Sequence, residues 1–206
     1  MIRVRKILTL LLVFSASITV LTLDALAVDK DKAKFAPPDL DSIPTKQTIG
    51  EVTVGAIPYD RSSLAETAFG KVDPYEHGVL PIFVSIRNNS KQAVRLDTLK
   101  VQYRDGTRRV VDATPAAEVP FVEPPKRPTF GGPQIPGITN RKKKNPLQTP
   151  EIETRAFSAK MLPPGESAYG FFYFRTLLKS GASLYVSGMR EASSGKDLFY
   201  FDFPLD

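Results

Sequence analysis

The sequence predicts an all-β fold: an antiparallel sandwich with one short helix and a long Pro-rich insertion. Three observations lead there. Short apolar runs alternate with period two, clusters of Gly, Pro, Asn, Asp and Ser separate them, and no strand–helix–strand repeat follows that would build a parallel sheet. The focus is Leu162-Pro-Pro-Gly-Glu-Ser-Ala-Tyr-Gly-Phe-Phe-Tyr-Phe174. Its Pro-Pro-Gly turn feeds a run with Tyr169, Phe171, Phe172, Tyr173 and Phe174. Aromatics at consecutive positions point to both faces of a strand, so this one needs cover on both sides and belongs in the centre of a sheet.

Taken in order, residues 1–27 read as a secretory signal peptide. Arg3, Arg5 and Lys6 precede an apolar run from Ile7 to Leu23, and Ala25-Leu-Ala27 ends it as a cleavage site. Mature protein then starts at Val28, exported to the periplasm or outside the cell, with no transmembrane segment left after cleavage. Retention of residues 1–27 as a membrane anchor is the competing reading. The chain has no Cys, which excludes disulfide-stapled secreted scaffolds. Formal charge is +6, concentrated in the signal segment and in residues 123–155. The remainder is balanced, so nothing in it suggests a nucleic-acid-binding face.

Residues 28–48 are polar and broken by proline, the composition of a flexible linker. The domain therefore spans 49–206. Val52, Val54 and Ala56 alternate with Glu51 and Thr53 in a first strand that Pro58 ends. Ser63-x-x-Glu66 is a capping-box pattern, and Leu64, Ala65, Ala68 and Phe69 form a helical stripe before Gly70. Leu80, Ile82, Val84 and Ile86 make an inward strand, followed by the turn chemistry of Asn88-Asn-Ser90. Val94 and Leu96 start the return. Asp105-Gly106 predicts a two-residue hairpin that sets Val101 opposite Val110 and Tyr103 opposite Arg108.

Residues 113–150 hold nine of the chain's eighteen prolines and the basic run Arg141-Lys-Lys-Lys144. This is the Pro-rich basic insertion. Residues 152–161 are expected as a strand, Ser183–Ser187 as another, Ser193-Ser-Gly-Lys196 as a turn, and Phe199, Phe201 and Phe203 as the inward face of the last strand. The predicted core is Val52, Val54, Ile82, Val84, Ile86, Val101, Val110, Phe172, Phe174, Leu184, Val186, Phe199 and Phe201.

GVLPIFVSIRNNSKQAVRLD (78–97), followed by LPPGESAYGFFYF (162–174), resembles bacterial exported immunoglobulin-like domains. Those domains show an aliphatic strand ending in N-x-S and a later L-x-P-G-E-S turn into an aromatic strand. The resemblance covers about two-thirds of the mature chain and implies an immunoglobulin-like sandwich. It implies adhesion, scaffolding or protein contact as the usual role, and it transfers no site residue. Both the Cys pair and the Trp of antibody-type domains are missing.

Catalytic patterns are weak. His77 is the only histidine; Asp73 and Glu76 lie near it, but a metal site needs at least three converging ligands. No G-x-S-x-G elbow and no phosphate-cradling loop occur, and Ser193-x-x-Lys196 sits in turn chemistry without the partner motifs of a β-lactamase-type enzyme. Glu51, Glu66 and Glu166 each have a local explanation, as strand outer face, helix cap and turn. No cofactor is indicated. The sequence therefore reads as an exported, non-enzymatic interaction or structural module of the cell envelope. The alternative is an envelope hydrolase or carbohydrate-active enzyme using paired carboxylates. Two surfaces are expected to bind. Tyr169, Phe171, Tyr173 and Tyr200 would form an exposed patch for another envelope protein or for self-association, unless the insertion folds across it. Arg141, Lys142, Lys143 and Lys144 would meet an anionic envelope component.

Overall fold

The computed structural model describes residues 35–122 and 145–205. Its organising element is strand β3, Leu80–Asn88, in which every residue except Arg87 is buried. Its even positions, Leu80, Ile82, Val84 and Ile86, enter one hydrophobic core, and Phe83 on the opposite side enters another. Period-two geometry makes this possible: one strand supplies both cores by alternation. β2 (Val52–Pro58) pairs with β3 on one side and β8 (Ser167–Phe174) on the other, both antiparallel, and β1 (Lys46–Ile49) extends the sheet to the order β1-β2-β3-β8. Val54 stands opposite Ile86, Phe83 opposite Phe171, and Leu80 opposite Phe174.

A second four-stranded sheet faces it. β5 (Lys100–Arg104), β6 (Val110–Asp112), β9 (Ser183–Ser187) and β11 (Phe201–Pro204) pair antiparallel in the order β11-β9-β5-β6. Val101, Tyr103, Leu184, Val186, Phe201 and Phe203 point from it toward β2 and β3 and form the sandwich core with them. Three two-residue strands, β4 (Val94–Arg95), β7 (Met161–Leu162) and β10 (Arg190–Glu191), make a small third sheet in the order β10-β4-β7. The fold is an all-β, sandwich-like arrangement of eleven strands among the described residues, with few short helices.

The outer face of the first sheet is covered by helical pieces. Helix α1 (Ser62–Phe69) delivers Ala65, Ala68 and Phe69; the 3-10 turn Ala116–Phe121 delivers Val119; helix α2 (Pro150–Thr154) delivers Ile152; and Leu147 completes the layer. Phe171 meets Tyr59 edge-on at 4.8 Å, Phe69 at 4.9 Å and Phe83 at 5.5 Å. Such ring pairs add stabilisation beyond their buried area. The Tyr173 hydroxyl donates to the Ile152 carbonyl at 2.7 Å, and burial pushes its pKa far up. Gly170 permits one further approach: a Cβ there would lie 2.5 Å from Phe157 Cα, where the chain runs along the edge of β8.

Asn88 ties the two sequence motifs together. Its side chain is fully buried at the end of β3. The amide nitrogen donates to the carbonyls of Gln92 (2.7 Å), Leu162 (3.1 Å) and Pro163 (3.2 Å), and Oδ1 accepts from the backbone N–H and hydroxyl of Ser90. The backbone of Asn88 donates to Glu166 O and accepts from Gly165 N. The N-x-S turn and the Pro-Pro-Gly turn are thus two halves of one hydrogen-bonded knot. Asn88-Asn-Ser90 also matches the N-x-S glycosylation pattern, but the Asn88 amide is buried and fully hydrogen-bonded.

Several expectations need correction. Residues 35–48 are not a linker: Leu40 and Ile43 are buried against Gly55, and β1 pairs with β2 through the Gly50-Glu51 turn, where both residues have positive φ. That turn, rather than a strand's outer face, is where Glu51 sits. The Ser63 capping box does not form. The helix starts at Ser62 with Arg61 at its N-cap and no side-chain cap, while Gly70 closes it with φ 66°. Residues 150–154 are helical rather than extended, with Pro150 in the first turn, where its missing N–H costs nothing. The hairpin after β5 is longer than two residues: Arg104 pairs with Val110 and Tyr103 with Val111, and Arg108 has φ 66°. That register turns Val111 inward and leaves Val110 on the surface. Phe199 also lies outside, because β11 begins only at Phe201, opposite Val186. Phe172 does face the sandwich core but is half-buried, stacked on Phe157 at 5.2 Å.

Truncating Phe171 to Ala should cost about 3–5 kcal/mol, since it removes the ring at the centre of the helical-layer core. Phe199→Ala should change stability by less than about 0.5 kcal/mol. Urea melts of both variants give the comparison. Asn88→Ala should cost at least about 2 kcal/mol by leaving buried groups unpaired. Asn88→Asp should be worse, because a carboxylate would face three carbonyl oxygens.

Candidate functional site

The structure separates the four aromatics of the expected patch. Phe171 and Tyr173 are each 1% exposed, sealed under the helical layer. The ends of the insertion contribute Val119 and Leu147 to that cover, so the patch on this face does not exist. Tyr169 lies on the same face beyond the cover, 53% exposed and 6.0 Å from Phe83. Tyr200 lies apart from these, immediately before β11 of the other sheet. Residues 141–144 lie outside the described residues, as do residues 1–27.

An aromatic corner forms instead on the outer face of the second sheet. Its register aligns one row across four strands: Asp202, Tyr185, Gln102 and Asp112. The next row carries Pro204, Ser183, Arg104 and Val110. The Arg104 guanidinium lies over the Tyr185 ring, 3.6 Å from its centroid, and its Nη1 is 3.7 Å from Asp202 Oδ2. One face of Tyr185 is thereby occupied by a cation–π contact. Tyr200 packs beside Tyr185 at 5.2 Å. Tyr200 is 59% exposed and Phe199 69%. Together with Gln47, Ile49 and Asp202 they line a shallow groove of about 380 Å³. Gln102 donates to Asp112 at 2.7 Å.

Two devices fix the corner. Gln47 on β1 reaches across the edge of the sandwich: its Nε2 donates to Asp202 O at 2.8 Å, and Asp202 N donates back to its Oε1 at 3.4 Å. A side-chain amide here takes the place of a neighbouring strand. At the far end of β5, Asp105 organises the hairpin. Its Oδ1 accepts from the Thr107 hydroxyl (2.6 Å) and from the N–H groups of Arg109 (2.9 Å) and Thr107 (3.0 Å), and Oδ2 meets Lys179 Nζ at 2.9 Å. The hydroxyl of Thr107 first, and Lys179 next, hold the Asp105 carboxyl far below the ordinary range. Lys179 N in turn donates to the Tyr103 hydroxyl at 3.0 Å, and Leu178 N to that of Tyr75 at 3.2 Å, so two tyrosines pin the loop before β9.

The remaining candidates have structural duties. Asp73 Oδ1 accepts from Tyr75 N at 2.9 Å, at the start of the short turn that holds His77. Among the described residues no three His, Asp or Glu side chains converge as a metal site. Ser193 bonds Gln92, Ser194 bonds Glu191, and Lys196 N donates to Ser194 Oγ at 3.1 Å, so that turn is internally satisfied. Asp97 is also lowered, by the hydrogen bond from Arg95. Tyr185 and Tyr200 are legible as outward residues from strand alternation. Arg104, Asp202 and Gln47 are not, since their meeting depends on register between strands distant in sequence.

No protein-family model matches the chain, and no curated protein matches it. Solved structures similar to it include the yjhA protein of Bacillus subtilis, at 12% identity over 80% of this chain and 98% of that one, TM-score 0.42. A second Bacillus subtilis protein, ycdA, named as a lipoprotein, shares 12% identity over 78% of this chain with TM-score 0.38. MPT63, a secreted protein of Mycobacterium tuberculosis, shares 14% over 82% of this chain and 98% of its own, TM-score 0.31. The chain spans only 38% of the length of ycdA. Among the described residues no helix is long and apolar enough to cross a membrane.

The depressed Asp105 carboxyl sets a pH dependence. A group whose folded pKa is lowered contributes stability in full above its unfolded pKa of about 3.9 and loses it as pH falls toward the folded value. The stability gap between wild type and Asp105→Asn should therefore be largest near about pH 6 and shrink toward about pH 2.5. Denaturant melts at both pH values measure it; a constant gap would mean that the carboxylate is not what holds the hairpin.

Proposed function

We propose that this chain is an exported, non-enzymatic interaction module with an immunoglobulin-like sandwich, and that the aromatic corner of its second sheet is the contact surface. The observation that carries the reading is the pair Phe199 and Tyr200, adjacent, each more than half exposed, and lining one groove. Large exposed rings that add nothing to the core suit a surface that is covered in use. Tyr adds a hydroxyl that finds a partner whether the surface is wet or covered. Export rests on the signal sequence of residues 1–27. Paired-carboxylate catalysis receives less support. A general acid needs a raised pKa, whereas Asp97 and Asp105 are both lowered and both bound to basic or hydroxyl partners. The basic run 141–144 is proposed as a separate, salt-sensitive contact with an anionic envelope component.

The test is cosedimentation of the chain from Val28 onward with envelope fractions of its source cell. The double variant Phe199→Ser, Tyr200→Ser should weaken association at least about tenfold while its melt stays that of wild type. Replacing Arg141, Lys142, Lys143 and Lys144 by Ser should remove only the salt-dependent part. Association indifferent to Phe199 and Tyr200 would rule out the corner as the contact surface.

A further inference from the structure

A sheet edge accepts an added strand when its N–H and C=O groups are free. Three outer edges of the two large sheets are guarded. Along β8, Phe157 N donates to Phe171 O, Phe171 N to Arg155 O, and Thr114 N to Tyr173 O. On β11, Gln47 holds both backbone groups of Asp202, and Pro204, two residues on, has no N–H. β1 carries Lys46, a charge of the kind that protects an edge.

β6 is the exception. Arg109 O accepts from Asp105 N, and Val111 lies opposite Tyr103, so Arg109 and Val111 turn their backbone groups toward β5. By alternation, the N–H and C=O groups of Val110 and Asp112 point away from the sheet. Among the described residues these groups have no hydrogen-bond partner. The Val110 side chain is 49% exposed at the same place.

The charges on this edge are separated by sign. Arg108 and Arg109, both exposed, precede Val110, and the exposed Asp112 follows it. The nearby charges are already paired, Arg104 with Asp202 and Lys179 with Asp105. Among the described residues Arg108 and Arg109 have no carboxylate partner, and Asp112 has no cation. An edge with cations at one end and a carboxylate at the other complements a copy of itself running in the opposite direction. A strand of unrelated sequence has no such match built in.

We propose that β6 is a self-association edge, at which two copies of this chain pair antiparallel about a two-fold axis at Val110. Each Val110 N–H donates to the carbonyl of the other copy, and the two exposed valine side chains meet. Each Asp112 comes opposite the partner's Arg108. That arginine sits in the hairpin turn with φ 66°, so it takes part through its side chain rather than its backbone. The two second sheets become continuous. The aromatic corner lies at β11, the other edge of the same sheet, so this interface does not depend on it.

The test is sedimentation equilibrium of the chain from Val28 onward over a concentration series, with amide NMR to locate the contact. The edge is short, so a monomer–dimer equilibrium with a dissociation constant on the order of 0.1–1 mM is expected. Concentration-dependent shifts should centre on Val110 and Asp112. Val110→Pro removes the central N–H at an exposed edge position and should abolish the dimer. Asp112→Arg and Arg108→Asp each set like charges opposite one another and should each weaken dimerisation at least about tenfold. Mixed in equal amounts, those two variants should associate with each other, since their charges are again complementary. Melts equal to that of wild type show that the variants fold. A chain that stays monomeric up to about 2 mM, or a dimer indifferent to Asp112→Arg, would overturn the proposal. So would a dimer lost in Phe199→Ser, Tyr200→Ser but kept in Val110→Pro, which would assign self-association to the corner. A dimer kept by the corner variant and lost in Val110→Pro supports β6, whatever the envelope assay says of the corner.

Discussion

Burial of one sheet on both faces is the constraint on which the rest of the structure depends. β3 and β8 carry large apolar side chains at consecutive positions, so neither face can be left to water. The second sheet covers one side. The other side is covered by pieces that have little else in common: an eight-residue helix, a 3-10 turn with a proline in it, a five-residue helix, and the segment containing Leu40 and Ile43. Each of these is too short to be stable alone. What orders them is the apolar surface of Phe83, Phe171 and Tyr173 beneath. Gly170 belongs to the same logic: without a Cβ, β8 lets the chain at Phe157 run against its edge.

Asn88 solves a second problem, that of ending a fully buried strand. The backbone groups beside the Ser90 and Pro163 turns leave the sheet ladder and need partners where the strand end is buried. One carboxamide serves both turns, with every donor and acceptor it owns in use. An ionised Asp has no donor and a Ser has a single O–H, whereas a carboxamide sets two N–H donors beside a carbonyl oxygen, and Asn has a shorter reach than Gln.

The proposed contact face is organised differently. On the second sheet's outer surface, Arg104 over Tyr185 and Asp202 against Arg104 form a layer whose charges are mutually satisfied. Exposed ion pairs of this kind add little stability. Their consequence is to present a flat, neutral and partly aromatic surface held in one geometry, with the Gln47 clasp keeping the edge strand from pairing further.

The sequence by itself determined the all-β class, the inward residues of β2, β3, β5 and β9, the parity of the aromatic strand and the turn chemistry of Asn88 and Pro163. These depend on period-two alternation and on residue-specific backbone preferences, both local. Only the tertiary structure decided that Phe171 and Tyr173 lie under a helical layer, that residues 35–48 are part of the domain, and that Val110 and Phe199 point outward. It alone brought Gln47 to Asp202 and Arg104 to Tyr185. Alternation says that two faces exist but not what covers them. Register is set by hairpin length and by where a partner strand stops, here the five residues between Arg104 and Val110 and the end of β9 at Ser187. Contacts between strands this distant in sequence, Gln47 with Asp202 and Arg104 with Tyr185, leave no local signal in the chain.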